Sequence, residues 1–138
     1  MKKLAFCLGF GCIYFVSCSK KDGNTTGSIQ GKWIRESAVD WVTSGGITFK
    51  DTVNFPSTAY SEFRTDGKVY TYNGGVNGAD DYDTSYYEIK GNTIIIGNIN
   101  SSERDTAVIQ TLTANKLSVY IKYVDLSDIY ESWATFRK

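Results

Sequence analysis

The sequence predicts a small all-β domain: a single up-and-down antiparallel β-barrel of about eight strands behind a signal peptide and a short tether. Three observations carry this. No segment from Ser28 to Lys138 keeps a helical period, while Tyr, Thr, Val and Ile are abundant and Pro56 is the single proline. Turn signals recur at short intervals, the mark of a sandwich or barrel. Nearly every strand can join its sequence neighbour, and closing such a meander removes its exposed edges.

The first residues form a separate unit. Lys2 and Lys3 precede an apolar run from Leu4 to Val16, and small Ser17 stands before Cys18. A basic start, a short apolar stretch and a small residue before the cut make a secretory signal peptide of residues 1–17. The run falls short of the roughly 20 apolar residues that a transmembrane helix needs. Residues 18–28, polar and Gly-containing, read as a flexible tether, and residues 29–138 as the barrel domain. All three cysteines, Cys7, Cys12 and Cys18, lie at or before the expected cut. The mature domain then has no thiol for a disulfide, a metal site or a nucleophile, so its core alone must hold it. Cleavage leaves 13 Lys and Arg against 15 Asp and Glu. That mild acidity argues against nucleic-acid binding, which shows as a basic patch.

Along the domain, residues 29–34 open with a first strand, and one further strand is expected around Ile47 to Val53, its register open. The clearest hairpin is Ala59 to Tyr72. Its Asp66-Gly67 pair suits a two-residue loop, which sets Thr65 opposite Lys68, Phe63 against Tyr70 and Ser61 against Tyr72. A second hairpin, Tyr86 to Ile96, turns at Gly91-Asn92 and brings Ile89 to Ile94 and Tyr87 to Ile96. A third runs from Ala107 to Tyr123 and turns at Thr113-Ala114-Asn115-Lys116. In it Leu117, Val119 and Ile121 alternate with Ser118, Tyr120 and Lys122. The closing strand, Ile129 to Arg137, puts Tyr130, Ser132, Ala134 and Phe136 on one face and Trp133 and Arg137 on the other.

Two resemblances add to this reading. Val16-Ser17-Cys18, with Phe15 where Leu is usual, resembles the lipobox of bacterial lipoproteins. That implies cleavage before Cys18 and acylation of Cys18, with palmitate-type chains as the membrane anchor; Cys12 is the rival site. Ser19 after Cys18 is not the Asp that resembles an inner-membrane retention signal, so the resemblance implies an outer-membrane anchor in a cell with two membranes. Residues 29–138 resemble the small lipocalin-like domains carried by such lipoproteins. The resemblance rests on Gly31-Lys32-Trp33, Phe63-Arg64-Thr65-Asp66-Gly67-Lys68, Tyr87 to Ile94, Leu112 to Leu117, and Phe136 near the chain end. In the wider lipocalin group the first-strand tryptophan packs with a late arginine. Gly31 and Trp33 match the first part, and Arg137 is the candidate for the second, although strand parity sets it opposite Phe136.

The chemistry-bearing residues are sparse. The chain has no histidine, the commonest general base, and no G-x-S-x-G motif, so a non-enzymatic protein without cofactors is expected. Asp80-Asp81-Tyr82-Asp83 is the densest acidic cluster. Its spacing does not match a calcium loop, and its carboxylates are sequence neighbours rather than two groups flanking a cleft. It reads as a solvated loop, with no metal expected. The aromatic surplus is more telling, since Tyr and Trp offer broad faces with a polar handle. The expected filling of the barrel is Phe63, Tyr70, Tyr87, Ile94, Val119 and Phe136, with Ser61, Tyr72 and Ser132 as the polar groups that orient a ligand.

Two functions stay open at this point. One is a membrane-anchored lipocalin-like lipoprotein that binds a small apolar or amphipathic molecule. The other is a cell-envelope interaction module with a packed barrel. Its loops, Ser44-Gly45-Gly46 and Asn73 to Gly78, would bind a protein or glycan. An empty apolar-lined volume above about 300 Å³ separates the first from the second.

Overall fold

The computed structural model describes residues 27–78, 80–97 and 104–138. The expected signal peptide 1–17, Cys18 and the tether up to residue 26 lie outside the described residues. The strands are β1 (Gly31–Ser44), β2 (Ile47–Asn54), β3 (Tyr60–Phe63), β4 (Lys68–Tyr72), β5 (Tyr82–Lys90), β6 (Thr93–Gly97), β7 (Arg104–Leu112), β8 (Lys116–Asp125) and β9 (Asp128–Arg137). All pair antiparallel, and β9 closes on β1. The result is an eight-stranded barrel of β1 and β3–β9, with β2 as a ninth strand outside the ring. A single 3-10 turn, Val76–Gly78, is the one helical element among the described residues.

The position of β2 follows from the length of β1. One edge of β1 carries β3 over Gly31–Ile34 and then β2 over Ser37–Ser44. On the other edge β9 follows β1 from Ile34 to Thr43, while β7 accompanies β8 only as far as Ile121. The upper halves of β2, β1, β9 and β8 therefore leave the ring together as a four-stranded flare. Gly45 and Gly46, at φ +57° and +80°, turn β1 into β2, the pair of left-handed residues a type I′ hairpin requires.

Packing is densest at the end where the chain enters. Trp33, Ile94 and Leu117 are fully buried there, with Val69, Phe63 and Phe136 around them. The Trp33 indole N–H donates to the Ile29 carbonyl at 2.6 Å, which satisfies its one polar atom. The cation over its ring is not Arg137. Lys138 places Nζ 4.4 Å from the ring centroid and donates to the Gln30 carbonyl at 3.1 Å. Arg137 points outward to Glu36 at 3.4 Å. The core lies between Ile29 and Phe136 and the wall closes through β1–β9.

The β5–β6, β7–β8 and β8–β9 faces agree with the sequence expectation, including Tyr87 opposite Ile96 and Ile89 opposite Ile94. The β3–β4 register does not. Phe63 faces Val69 and Ser61 faces Thr71, because the loop holds three residues, not two. Gly67 N–H donates to Arg64 O, Arg64 N–H donates to Lys68 O, and Gly67 takes φ +77°: a type I turn closed by a glycine bulge. One extra residue in the loop turns every β4 side chain to the other face.

Candidate functional site

Inward positions on each strand leave a cavity of about 210 Å³ inside the barrel. Six of the expected ligand-facing residues line it: Ser61, Phe63, Ile94, Val119, Ser132 and Phe136. Tyr87 packs against the core but does not line the cavity. Its ring stands edge-on to Phe63 at 5.1 Å, and its hydroxyl donates to the Arg64 carbonyl at 2.9 Å.

Tyr70 and Tyr72 are the correction. The three-residue turn puts both on the outer face, and Val69 and Thr71 take their places inside. Tyr70 lies beneath the Arg64 guanidinium at 4.0 Å and donates to Asp66. Tyr72 stacks on Tyr82 at 4.5 Å and donates to Asp80 at 2.6 Å. That bond to a carboxylate pushes the Tyr72 phenol up to about 12. The acidic loop is thereby tied to the wall: Asp80 holds Tyr72, and the Asp81 N–H donates to the Asn73 side-chain oxygen.

The cavity also has a charged side chain that the sequence reading passed over. Arg35 stands two residues after Trp33, so strand parity turns it inward. Its guanidinium lies 3.9 Å over the Phe55 ring, and the residue is part of the cavity lining. Burial pulls its pKa below the usual arginine value. The ion pairs among the described residues, Arg64–Glu62, Lys90–Glu88, Lys122–Glu131 and Arg137–Glu36, leave Arg35 out. The carboxylate in the lining, Asp83, accepts from Ser85 at 3.3 Å. Parity would have found Asp83 and Ser85 too, since both share the face of Tyr87 on β5.

Above the ring, Ile121 and Ser132 border both the cavity and a groove of about 360 Å³ along the flare. The groove follows a cross-strand row, with Val42 between Phe49 and Tyr130, and Tyr123 opposite Tyr130. Tyr123 and Tyr130 stack at 4.7 Å with planes 6° apart, and burial is the main cause raising the Tyr130 pKa. Phe49 and Tyr123 remain more than half exposed, at 63% and 53%. The opposite face of the flare carries Trp41, Tyr120 and Trp133 around Glu131. Tyr120 and Lys122 both donate to that carboxylate, and the Tyr120 bond is the larger cause lowering its pKa.

The cavity alone is smaller than the about 300 Å³ at which ligand pockets begin. The groove shares Ile121 and Ser132 with it. No protein-family model matches this sequence, and no curated protein matches it.

Proposed function

We propose that this chain is a non-enzymatic, lipid-anchored protein of the cell envelope whose lipocalin-like barrel holds a small amphipathic molecule. The observation that carries the reading is the unfilled, mainly apolar barrel interior, which shares Ile121 and Ser132 with the aromatic groove of the flare. Eight-stranded barrels either fill with side chains or hold one small ligand, and this one keeps room at its centre. Anchoring through Cys18, with the outer membrane as the destination, rests on the lipobox-like Val16-Ser17-Cys18 and the polar tether after it. Two acyl chains suffice for stable anchoring. The absence of histidine from the sequence and the confinement of cysteine to residues 1–18 support binding over catalysis.

Native mass spectrometry of the protein, purified gently from its host, tests the ligand. A co-purifying small molecule that is lost on Val119→Trp, a change that fills the cavity, is the expected result. An empty barrel that also refuses every added amphiphile would refute it. Metabolic labelling with an alkyne fatty acid tests the anchor: label on the wild type and none on Cys18→Ala. The Trp41, Tyr120, Trp133 and Glu131 platform favours the second reading, an interaction module for a protein or glycan. It moves that surface from the Ser44–Gly46 and Asn73–Gly78 turns to the sheet face.

A further inference from the structure

We infer that the barrel cavity selects an amphipathic ligand with a carboxylate head group, and that Arg35 is the residue that receives it. The inference deepens the proposed function and rests on it.

A guanidinium half withdrawn from water is costly unless charge or hydrogen bonds compensate it. Arg35 is withdrawn, lines the cavity and has no carboxylate within ion-pair range among the described residues. The adjacent carboxylate has been turned away. The β1 register shifts at Glu36 against β9, and Glu36 emerges on the outer face, paired with Arg137. Phe55 holds the guanidinium from one side at 3.9 Å, and the Arg35 backbone N–H is fixed to the Ala59 carbonyl at 3.0 Å. The side chain is thus pre-positioned, and no ion pair among the described residues uses its planar fork. A planar fork matches a carboxylate through two parallel bonds. Ser61 and Ser132 in the same lining supply hydroxyls for the remaining lone pairs.

The acidic groups place the other end of the ligand. Asp40 in the groove repels an anionic head placed there, whereas Asp83 shares the cavity lining with Arg35. The head therefore sits at Arg35, and the tail passes Ala38, Val119 and Ile121 towards Tyr130.

The test is isothermal titration of the purified protein with octanoate, octanol and octylamine, which share a tail and differ in head charge. Octanoate is expected to bind at least about tenfold more tightly than octanol, the scale of a charge-assisted pair over a neutral one. Arg35→Gln should erase that preference, so that octanoate and octanol bind alike, and Arg35→Lys should restore part of it. Circular dichroism of each variant confirms that the barrel is intact. Equal binding of octanoate and octanol, a preference for octylamine, or a preference that survives Arg35→Gln overturns the Arg35 assignment and leaves the cavity reading standing. Binding of none of the three probes, with the barrel folded, overturns the cavity reading itself.

Discussion

Lys138 and Arg137 are adjacent basic residues at the chain end, and the structure gives them opposite value. Lys138 lies over the fully buried Trp33 ring at 4.4 Å and donates to Gln30 O at 3.1 Å and Ser28 O at 3.5 Å. A cation over an indole at the surface contributes about 0.5–1 kcal/mol, and the hydrogen bonds from a charged donor add roughly 1 kcal/mol when partly exposed. Lys138→Ala should therefore destabilise the barrel by about 1–2 kcal/mol. For a domain of this size that lowers Tm by roughly 5–10 °C. Arg137 reaches Glu36 at 3.4 Å with both side chains about half exposed, and such pairs contribute about 0–1 kcal/mol. Arg137→Ala should shift Tm by at most about 5 °C and by less than Lys138→Ala does. Urea denaturation of the two variants and of Trp33→Phe, with the Trp33→Phe/Lys138→Ala double mutant, checks the assignment. A coupling of at least about 0.5 kcal/mol between Trp33 and Lys138 is expected. Equal losses at 137 and 138, or additivity of the double mutant, would refute the reasoning.

Two glycines in left-handed backbone should differ sharply. Gly67→Ala, with open space for a Cβ at φ +77°, costs only conformational strain of about 1 kcal/mol, whereas Gly74→Ala drives a Cβ to 2.4 Å from Pro56 and 3.0 Å from Ala59 and should cost about 2–5 kcal/mol by urea denaturation. Leu117→Ala, at 1% exposure in the densest part of the core, should cost about 2–5 kcal/mol and show the same loss by circular dichroism and by tryptophan fluorescence. The Tyr72 phenol is raised from 10.0 to about 12 by its bond to Asp80. Its contribution is intact below the ordinary tyrosine pKa and is lost as pH rises through about 12, because the unfolded chain gives up this proton first. Phenolate absorbance should show Tyr72 among the late-titrating tyrosines with Tyr120 and Tyr130, and Asp80→Asn should return only Tyr72 towards its ordinary range.

Where a single local rule governed a stretch, the sequence was legible. The β5–β6 hairpin has a two-residue loop with Gly91 at φ +61°, and the alternation of Leu117, Val119 and Ile121 fixes which face of β8 is buried. The β3–β4 hairpin shows the limit. Asp66-Gly67 is compatible with a two-residue loop or with a three-residue one ending in a glycine bulge. The choice between them moved Tyr70 and Tyr72 from the cavity to the outer wall. The upper half of β1 was illegible for another reason. In the flare, Ala38, Asp40 and Val42 alternate with Val39, Trp41 and Thr43, and neither set is consistently polar. A ribbon with apolar groups on both faces has no period to read.

Arg35 is the most instructive miss. Parity from Trp33 places it inside, but binary patterning assigns a charged residue to the wet face. Both rules cannot hold at position 35, and the structure resolves the conflict in favour of parity. Folding alone gives no reason for the outcome, since an apolar residue there would fill the cavity and remove the desolvation that lowers the Arg35 pKa. A charged residue turned inward, with its ring contact to Phe55 as the compensation that the structure shows, is where a functional site is expected. If position 35 served packing alone, Arg35→Met would stabilise the barrel and leave ligand preference unchanged. If it serves recognition, the same substitution should raise Tm while the preference for octanoate over octanol disappears, and that opposition of stability and selectivity separates the two.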